Sequence, residues 1–278
     1  MSETDYLRFT LRLAGGATTD DLEIRDLLAV LQTPGWEERD DGRTVRFWLE
    51  EERASGSAVR PVLDQLMEHG ALISTAQEAG WQDDWRRFHR PVVEGTVRVR
   101  PPWYPAEPGL LDVVIDAGMA FGTGSHFTTR LCLRALQDLP RGALVDVGTG
   151  SGVLALTALR LGFAPVWAMD NDPLSVECCL LNARANGLEP HVLLGDVTDP
   201  GLRLPPAEVA VANLLQKPIL ELARRLGAAD AAWAPPRLLL SGLLVEQGDE
   251  VLAALGGYRL VRRDVSSGWL LLDLARKA

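Results

Sequence analysis

Two carboxylates and three alternating glycines stand where nucleoside chemistry would need them. An apolar run from Leu144 ends in Asp146-Val-Gly-Thr-Gly-Ser-Gly152, and a second apolar run closes on Asp170, 22 residues after Gly148. Glycines at a strand-to-helix turn let backbone approach a ligand closely, and an acid ending the next strand is placed for ribose hydroxyls. Gly148 and Gly150 in the turn, with Asp146 and Asp170 as its acids, therefore read as a nucleoside-binding βαβ unit. Glycine also serves such turns for steric reasons alone, so the triplet by itself identifies no ligand.

The spacing narrows the choice. A dinucleotide fingerprint starting at Gly148 would need its third glycine at position 153, which is Val153. Asp146 lies just ahead of the turn, where a carboxylate would repel a pyrophosphate at the helix N-terminus. S-adenosylmethionine (AdoMet) has a ribose and an adenine, no phosphate, and positive charge on its sulfonium and amino groups. It suits these acids better than NAD does.

Two further polar loops fall at expected strand ends, where open α/β sheets bind ligands. One is Ala120-Phe-Gly-Thr-Gly-Ser-His-Phe-Thr-Thr129, ahead of an expected helix at Arg130–Leu136. Thr128 or Thr129 is placed to cap that helix. His126 reads as a loop-ordering residue rather than a catalytic base. The other loop begins at Asn213, whose amide can meet substrate or cofactor, although a lone Asn there also suits a turn. Methyl transfer from a sulfonium needs alignment and desolvation more than acids, nucleophiles or metals. A lysine target must first lose its proton, which burial favours. Cys132, Cys178 and Cys179 lack metal-ligand spacing and read as reduced thiols, and no metal site is expected.

The elements that would carry these loops follow from periodicity. Expected strands at Leu111–Ile115, Leu144–Val147, Val166–Asp170, His191–Leu194, Val209–Ala212 and Arg237–Leu240 alternate with helices, as in a parallel sheet. Tyr258–Val265 and Trp269–Ala275, joined by Ser266-Ser-Gly268, read as an antiparallel hairpin at its edge. Upstream, strand Tyr6–Leu13, helix Thr19–Leu31, a hairpin about Asp41-Gly42, helix Ala58–Glu68 and strand Ala71–Ala76 give the ferredoxin-like order βαββαβ. The organisation expected is a domain at 1–80, a connector at 81–108 containing a short helix at Asp83–His89, and a doubly wound α/β domain at 109–278.

Charge is uneven over the 278 residues. Residues 1–80 hold 16 acids against 8 arginines, a net −8 of the total −10, whereas residues 81–104 hold 3 acids against 5 arginines. No broad basic face suggests direct DNA binding. The acidic module can draw a basic protein, or be only a solvated surface. No apolar run approaches the roughly 20 residues that span a bilayer, and the first residues lack a signal peptide's pattern, so a cytoplasmic protein is expected.

The chain closely resembles the ribosomal-protein methyltransferase family called PrmA, which modifies protein eleven of the large ribosomal subunit. The similarity runs from about Trp81 and is carried by Gly118-Met-Ala-Phe-Gly-Thr-Gly-Ser-His-Phe-Thr-Thr129, Val145-Asp-Val-Gly-Thr-Gly-Ser-Gly-Val-Leu-Ala155, Asp170-Asn-Asp-Pro173 and Val211-Ala-Asn-Leu214. The resemblance implies a Rossmann-like AdoMet-dependent methyltransferase domain behind the ferredoxin-like domain. It implies AdoMet contacts from Thr129, Gly148, Asp170 and Asn213, a pocket lined by Phe121 and Gly122, and Asn213 at the reacting centre. The substrate implied is the basic ribosomal protein, methylated on lysine side chains and the N-terminal amine by a monomer, with the N-terminal domain recognising it. Where the family commonly has Glu before Trp, this chain has Gly268-Trp269. The alternatives are a same-fold methyltransferase for another protein or a small molecule, and an AdoMet-binding module without catalysis. Asn213-Leu-Leu-Gln216 is unlike the Asn-Pro-Pro-Tyr common in amine and glutamine methyltransferases.

Overall fold

The computed structural model describes residues 6–19, 21, 24, 27–28, 31, 36–39, 42–50, 59–78, 90–116, 124–199, 201–226 and 234–277. The chain divides into two units, 1–89 and 90–278.

In the N-terminal unit, strands β1 (Tyr6–Leu13), β2 (Trp36–Arg39), β3 (Thr44–Glu50) and β4 (Gly70–Glu78) form an antiparallel sheet in the order β2-β3-β1-β4. Alternate residues of β1 and β3 face one core: Phe9 stacks on Phe47 at 5.2 Å, with Leu11, Val45 and Leu49 beside them. Ile24, Leu28 and Leu31 from the first expected helix are buried in that core, and Leu31 N–H donates to Leu27 C=O, one helical turn back. The second helix, α1, spans Arg60–Glu68 and begins two residues later than expected, because Pro61 favours its first turn. The order and pairing are ferredoxin-like.

The C-terminal unit opens with a small sheet of β5 (Val92–Glu94), β6 (Val97–Arg100) and β7 (Leu111–Val114). The second half of the expected connector thus supplies strands to this unit, while the expected helix at Asp83–His89 lies outside the described residues. The strand read at Leu111–Ile115 does not join the main sheet. It pairs in parallel with β6, and its far edge is taken by asparagine side chains described below.

Helix α2 (Phe127–Gln137) leads into alternating β8 (Leu144–Val147), α3 (Val153–Arg160), β9 (Val166–Asp170), α4 (Pro173–Asn186), β10 (His191–Leu194), β11 (Val209–Asn213), α5 (Gln216–Leu226) and β12 (Arg237–Leu244). Helix α6 (Gly248–Ala254) and the hairpin β13 (Tyr258–Ser266) and β14 (Trp269–Arg276) complete the unit. The seven strands order as β10-β9-β8-β11-β12-β14-β13, parallel through β12 and antiparallel beyond. Strand residues alternate between two cores. Leu144, Val166, Ala168, Val209 and Val211 face α2, α3 and α4, while Val145, Val147, Met169, Ala210 and Ala212 face α5 and α6. This two-sided burial explains the nearly unbroken apolar strands. The order reverses between β8 and β11, which opens a crevice at their carboxyl ends.

The hairpin turn explains the Gly268-Trp269 departure. Ser267 and Gly268 have φ of 49° and 78°, the two left-handed positions of a type I′ turn, where glycine fits without strain. Among the described residues, no helix is long and apolar enough to cross a membrane.

Candidate functional site

The glycine turn leaves β8 and is strapped to β9. Gly148 and Thr149 N–H groups both donate to Met169 C=O, at 2.8 and 2.9 Å, and Gly150 N–H donates to Asp170 Oδ2 at 2.8 Å. Gly148, Gly150 and Gly152 all have φ between 53° and 85°, so the triplet meets a backbone requirement before any ligand is considered. The room that Gly148 lacks a Cβ to fill is taken by Leu214: a β-carbon there would overlap Leu214 Cδ2.

Asp146 sits behind this turn. It is wholly buried, and its Oδ2 accepts from Thr149 Oγ1 at 2.7 Å and from Ala155 N–H at 3.1 Å. Helix α3 starts from Gly152, which has no capping side chain, so Asp146 supplies the missing acceptor from the preceding strand. Its Oδ1 has no hydrogen-bond partner among the described residues. Burial pushes its carboxyl up to about 7, against the lowering effect of the Thr149 and Ala155 hydrogen bonds, and the Asp170 charge adds to the rise. Asp146 is expected above among the acids of the cofactor site. In the structure it caps α3, and a charge on its buried, unpartnered second oxygen would favour a cationic ligand in front of the turn over a pyrophosphate.

Asp170 closes β9 half-buried. Besides Gly150 N–H, it accepts Asp172 N–H at 3.1 Å through Oδ1, leaving lone pairs on both oxygens. Asp172 caps α4 through Leu174 N–H, and Pro173 opens that helix, so Asp170-Asn-Asp-Pro173 is a strand end and a helix start in four residues.

Thr129 and Asn213 meet across the crevice. Asn213 ends β11, and its Nδ2 donates to Thr129 Oγ1 at 3.2 Å. Thr129 is buried in the first turn of α2, whose cap is His126 rather than either threonine. His126 Nδ1 lies 2.8 Å from Thr128 Oγ1 and accepts Thr128 N–H, and its ring meets Trp269 edge-on at 4.8 Å. That environment fits the loop-ordering role. Phe121 and Gly122 lie outside the described residues.

Two positioning groups escaped the sequence reading. Asn182 and Asn186, one turn apart on α4, act as a substitute strand edge. Asn186 pairs with both Val114 N–H and C=O, at 2.8 and 2.7 Å, and Asn182 accepts Asp116 N–H while donating to Asp116 C=O and Ser151 C=O. Asn182 thereby ties the end of β7 to the glycine turn. The only available signal was an Asn pair spaced by four on a helical segment, which has many other uses. Glu94 on β5 is buried and paired with both Arg130 and Arg134, which anchors α2 to the small sheet. These two arginines hold its carboxyl below the usual range against the opposing effect of burial.

Cys132 and Cys179 are buried free thiols, and Cys178 is half-buried. Burial is the main cause that pushes the Cys179 thiol up to about 12, and it raises Cys132 as well. Among the described residues, no cluster of His, Cys, Asp or Glu could hold a metal.

Comparison with known proteins shows the family of the chain. The family model described as ribosomal protein L11 methyltransferase (PrmA) matches residues 19–277. A protein of that name from Myxococcus xanthus is 34% identical, over 99% of this chain and 100% of its own length. One from Azotobacter vinelandii is 37% identical, over 77% of this chain and 73% of its own. The solved structure of a ribosomal protein L11 methylase from Lactobacillus delbrueckii subsp. bulgaricus aligns with a TM-score of 0.60 at 24% identity, covering 68% of this chain and all of that one, and so shares its fold. With its family's model matched over nearly its whole length, the chain belongs to the ribosomal protein L11 methyltransferase (PrmA) family.

Proposed function

We propose that this AdoMet-dependent methyltransferase acts on lysine side chains and the N-terminal amine of ribosomal protein L11, using a cofactor site at the carboxyl ends of β8, β9 and β11. The observation that carries the reading is convergence. The glycine turn, Asp170, Thr129 and Asn213 come from four separate stretches of sequence and lie around one crevice, where the strand order reverses. Bound AdoMet supplies an activated methyl group on a sulfonium, a leaving group that needs no acid.

The chain's own residues then have alignment to perform. Asp170 accepts the ribose hydroxyls through its spare lone pairs, and the turn at Gly148 and Gly150 fixes the distance between that carboxylate and the crevice. Asp146, when ionised, biases the turn toward a cationic ligand from behind. Asn213, its amide oriented by Thr129, presents its side-chain oxygen to the incoming amine and fixes its approach. Burial of a target lysine lowers its pKa and favours the neutral nucleophile.

Residues 1–80, carrying −8, are the recognition module for the basic substrate protein, and complementary charge speeds their encounter. Calorimetry with AdoMet and NAD, followed by radiolabelled methyl transfer into purified large-subunit proteins, tests the whole reading. AdoMet binding without transfer to L11 would leave only a binding module. Transfer to a different protein would replace the substrate.

A further inference from the structure

Leu214 follows Asn213 and touches both sides of the crevice. Its side chain packs on Gly148, where a β-carbon would overlap Cδ2 and stand 2.9 Å from Cγ. Its backbone packs on Gly242 of β12. A β-carbon at Gly242 would overlap the Leu214 carbonyl oxygen and stand 2.8 Å from its carbon and 2.9 Å from its nitrogen. Gly242 has a φ of 87° and lies where the pairing of β12 with β14 slips, between Ser241 and Leu243. Leu214 N–H donates to Ser241 C=O at 3.1 Å. The irregularity in β12 is thus the seat of the Asn213-Leu214 turn. Two left-handed glycines 94 positions apart, on β12 and after β8, enclose one leucine between them.

We infer that Leu214 is a positioning residue: seated on Gly242 by its backbone and on Gly148 by its side chain, it sets the spacing between the cofactor turn and Asn213. Any shift of one loop is passed to the other through close packing, because neither glycine leaves space to absorb it. The inference rests on the reading that the glycine turn and Asn213 serve one AdoMet site.

The two contacts differ in kind, and that difference supplies the test. At Gly148 the neighbour is a side chain that can be shortened, whereas at Gly242 it is backbone that no substitution at 214 removes. In the full-length chain, Gly148→Ala should weaken AdoMet binding by about tenfold or more. Adding Leu214→Ala to it should restore part of that loss, the remainder being the cost of a left-handed alanine at 148. Gly242→Ala should lower kcat for methyl transfer more than it changes the KM for AdoMet, and Leu214→Ala should not rescue it. Leu214→Ala alone introduces no overlap, and should lower kcat by about tenfold with a smaller change in that KM.

Calorimetry, steady-state kinetics and a melting curve for each variant give these readouts. A folded Gly148→Ala/Leu214→Ala protein that binds no more tightly than Gly148→Ala overturns the inference. Equal rescue of Gly242→Ala does so as well. If the Gly148 variants fail to fold, an unchanged kcat in Leu214→Ala overturns it independently. A wild-type chain that binds no AdoMet sinks the functional reading and this inference together, whereas binding without rescue sinks the inference alone.

Discussion

Asp146 Oδ2 accepts the Ala155 N–H at 3.1 Å, so an acid within β8 caps a helix whose own N-cap residue, Gly152, has no side chain. The same carboxyl is buried and raised to about 7, chiefly by loss of solvent, with Cys132 and Cys179 close enough to feel its charge.

The pH dependence follows from that rise. A carboxyl whose folded value exceeds its unfolded value contributes stability that is full below the unfolded pKa and is lost as pH rises through the folded one. The contribution of Asp146 to the melting temperature without ligand should therefore fall between about pH 4 and pH 7, read as the difference between the wild-type and Asp146→Asn profiles. A cationic ligand favours the ionised form, so AdoMet binding should release a proton near neutrality. Calorimetry in buffers of different ionisation enthalpy should show that release in the wild type and less in Asp146→Asn. Equal proton release in both proteins would falsify the assignment.

Asp170 carries the ribose contact in the proposed site. Asp170→Ala removes the acceptor for Gly150 N–H together with charge-assisted bonds to hydroxyls, each worth about 1.5–3 kcal/mol. AdoMet affinity should drop at least about tenfold, with a modest fall in melting temperature from the loosened turn. A folded variant with wild-type affinity would remove Asp170 from the cofactor site.

Thr129 and Asn213 should act as a unit. Asn213→Ala and Thr129→Val each break the 3.2 Å hydrogen bond between them, so the double variant should lose less than the sum of the two single losses. The coupling expected for contacting residues is about 0.5–3 kcal/mol, read from kcat/KM. Strict additivity would show that Thr129 does not orient the Asn213 amide.

The proposed recognition role of the N-terminal unit can be tested by cutting the chain at the boundary between the two units, 89/90. A chain beginning at Arg90 retains Thr129, Gly148, Asp170 and Asn213 and should keep AdoMet binding, but it should lose most methylation of L11. The intact enzyme's association rate with L11 should fall as salt rises, because charge attraction is screened. Full activity in the shortened, folded protein would show that residues 1–89 do not recognise the substrate.

Local pattern was sufficient for much of this molecule. The strands at 144–147, 166–170 and 191–194 keep their expected limits, because each is a short apolar run closed by a glycine or an acid. The turn glycines and the closing Asp170 were legible for the same reason: a required left-handed backbone and a strand end leave signatures within a few residues. Contacts between distant stretches were not legible. Nothing near Asp146 shows whether it faces ligand or caps a helix, because its partner Ala155 is brought over it by the turn. Nothing near Leu111 says that β7 leaves the main sheet, since its free edge is paired by Asn186, 72 residues from Val114. Gly242 looks like an ordinary interruption of a strand until the backbone of Leu214 is seen against it. Sequence alone determined the elements and the class of ligand, because both depend on short-range pattern. Tertiary packing decided which polar groups are consumed in holding the site and which remain for chemistry, because hydrogen-bond capacity is limited and distant segments compete for it.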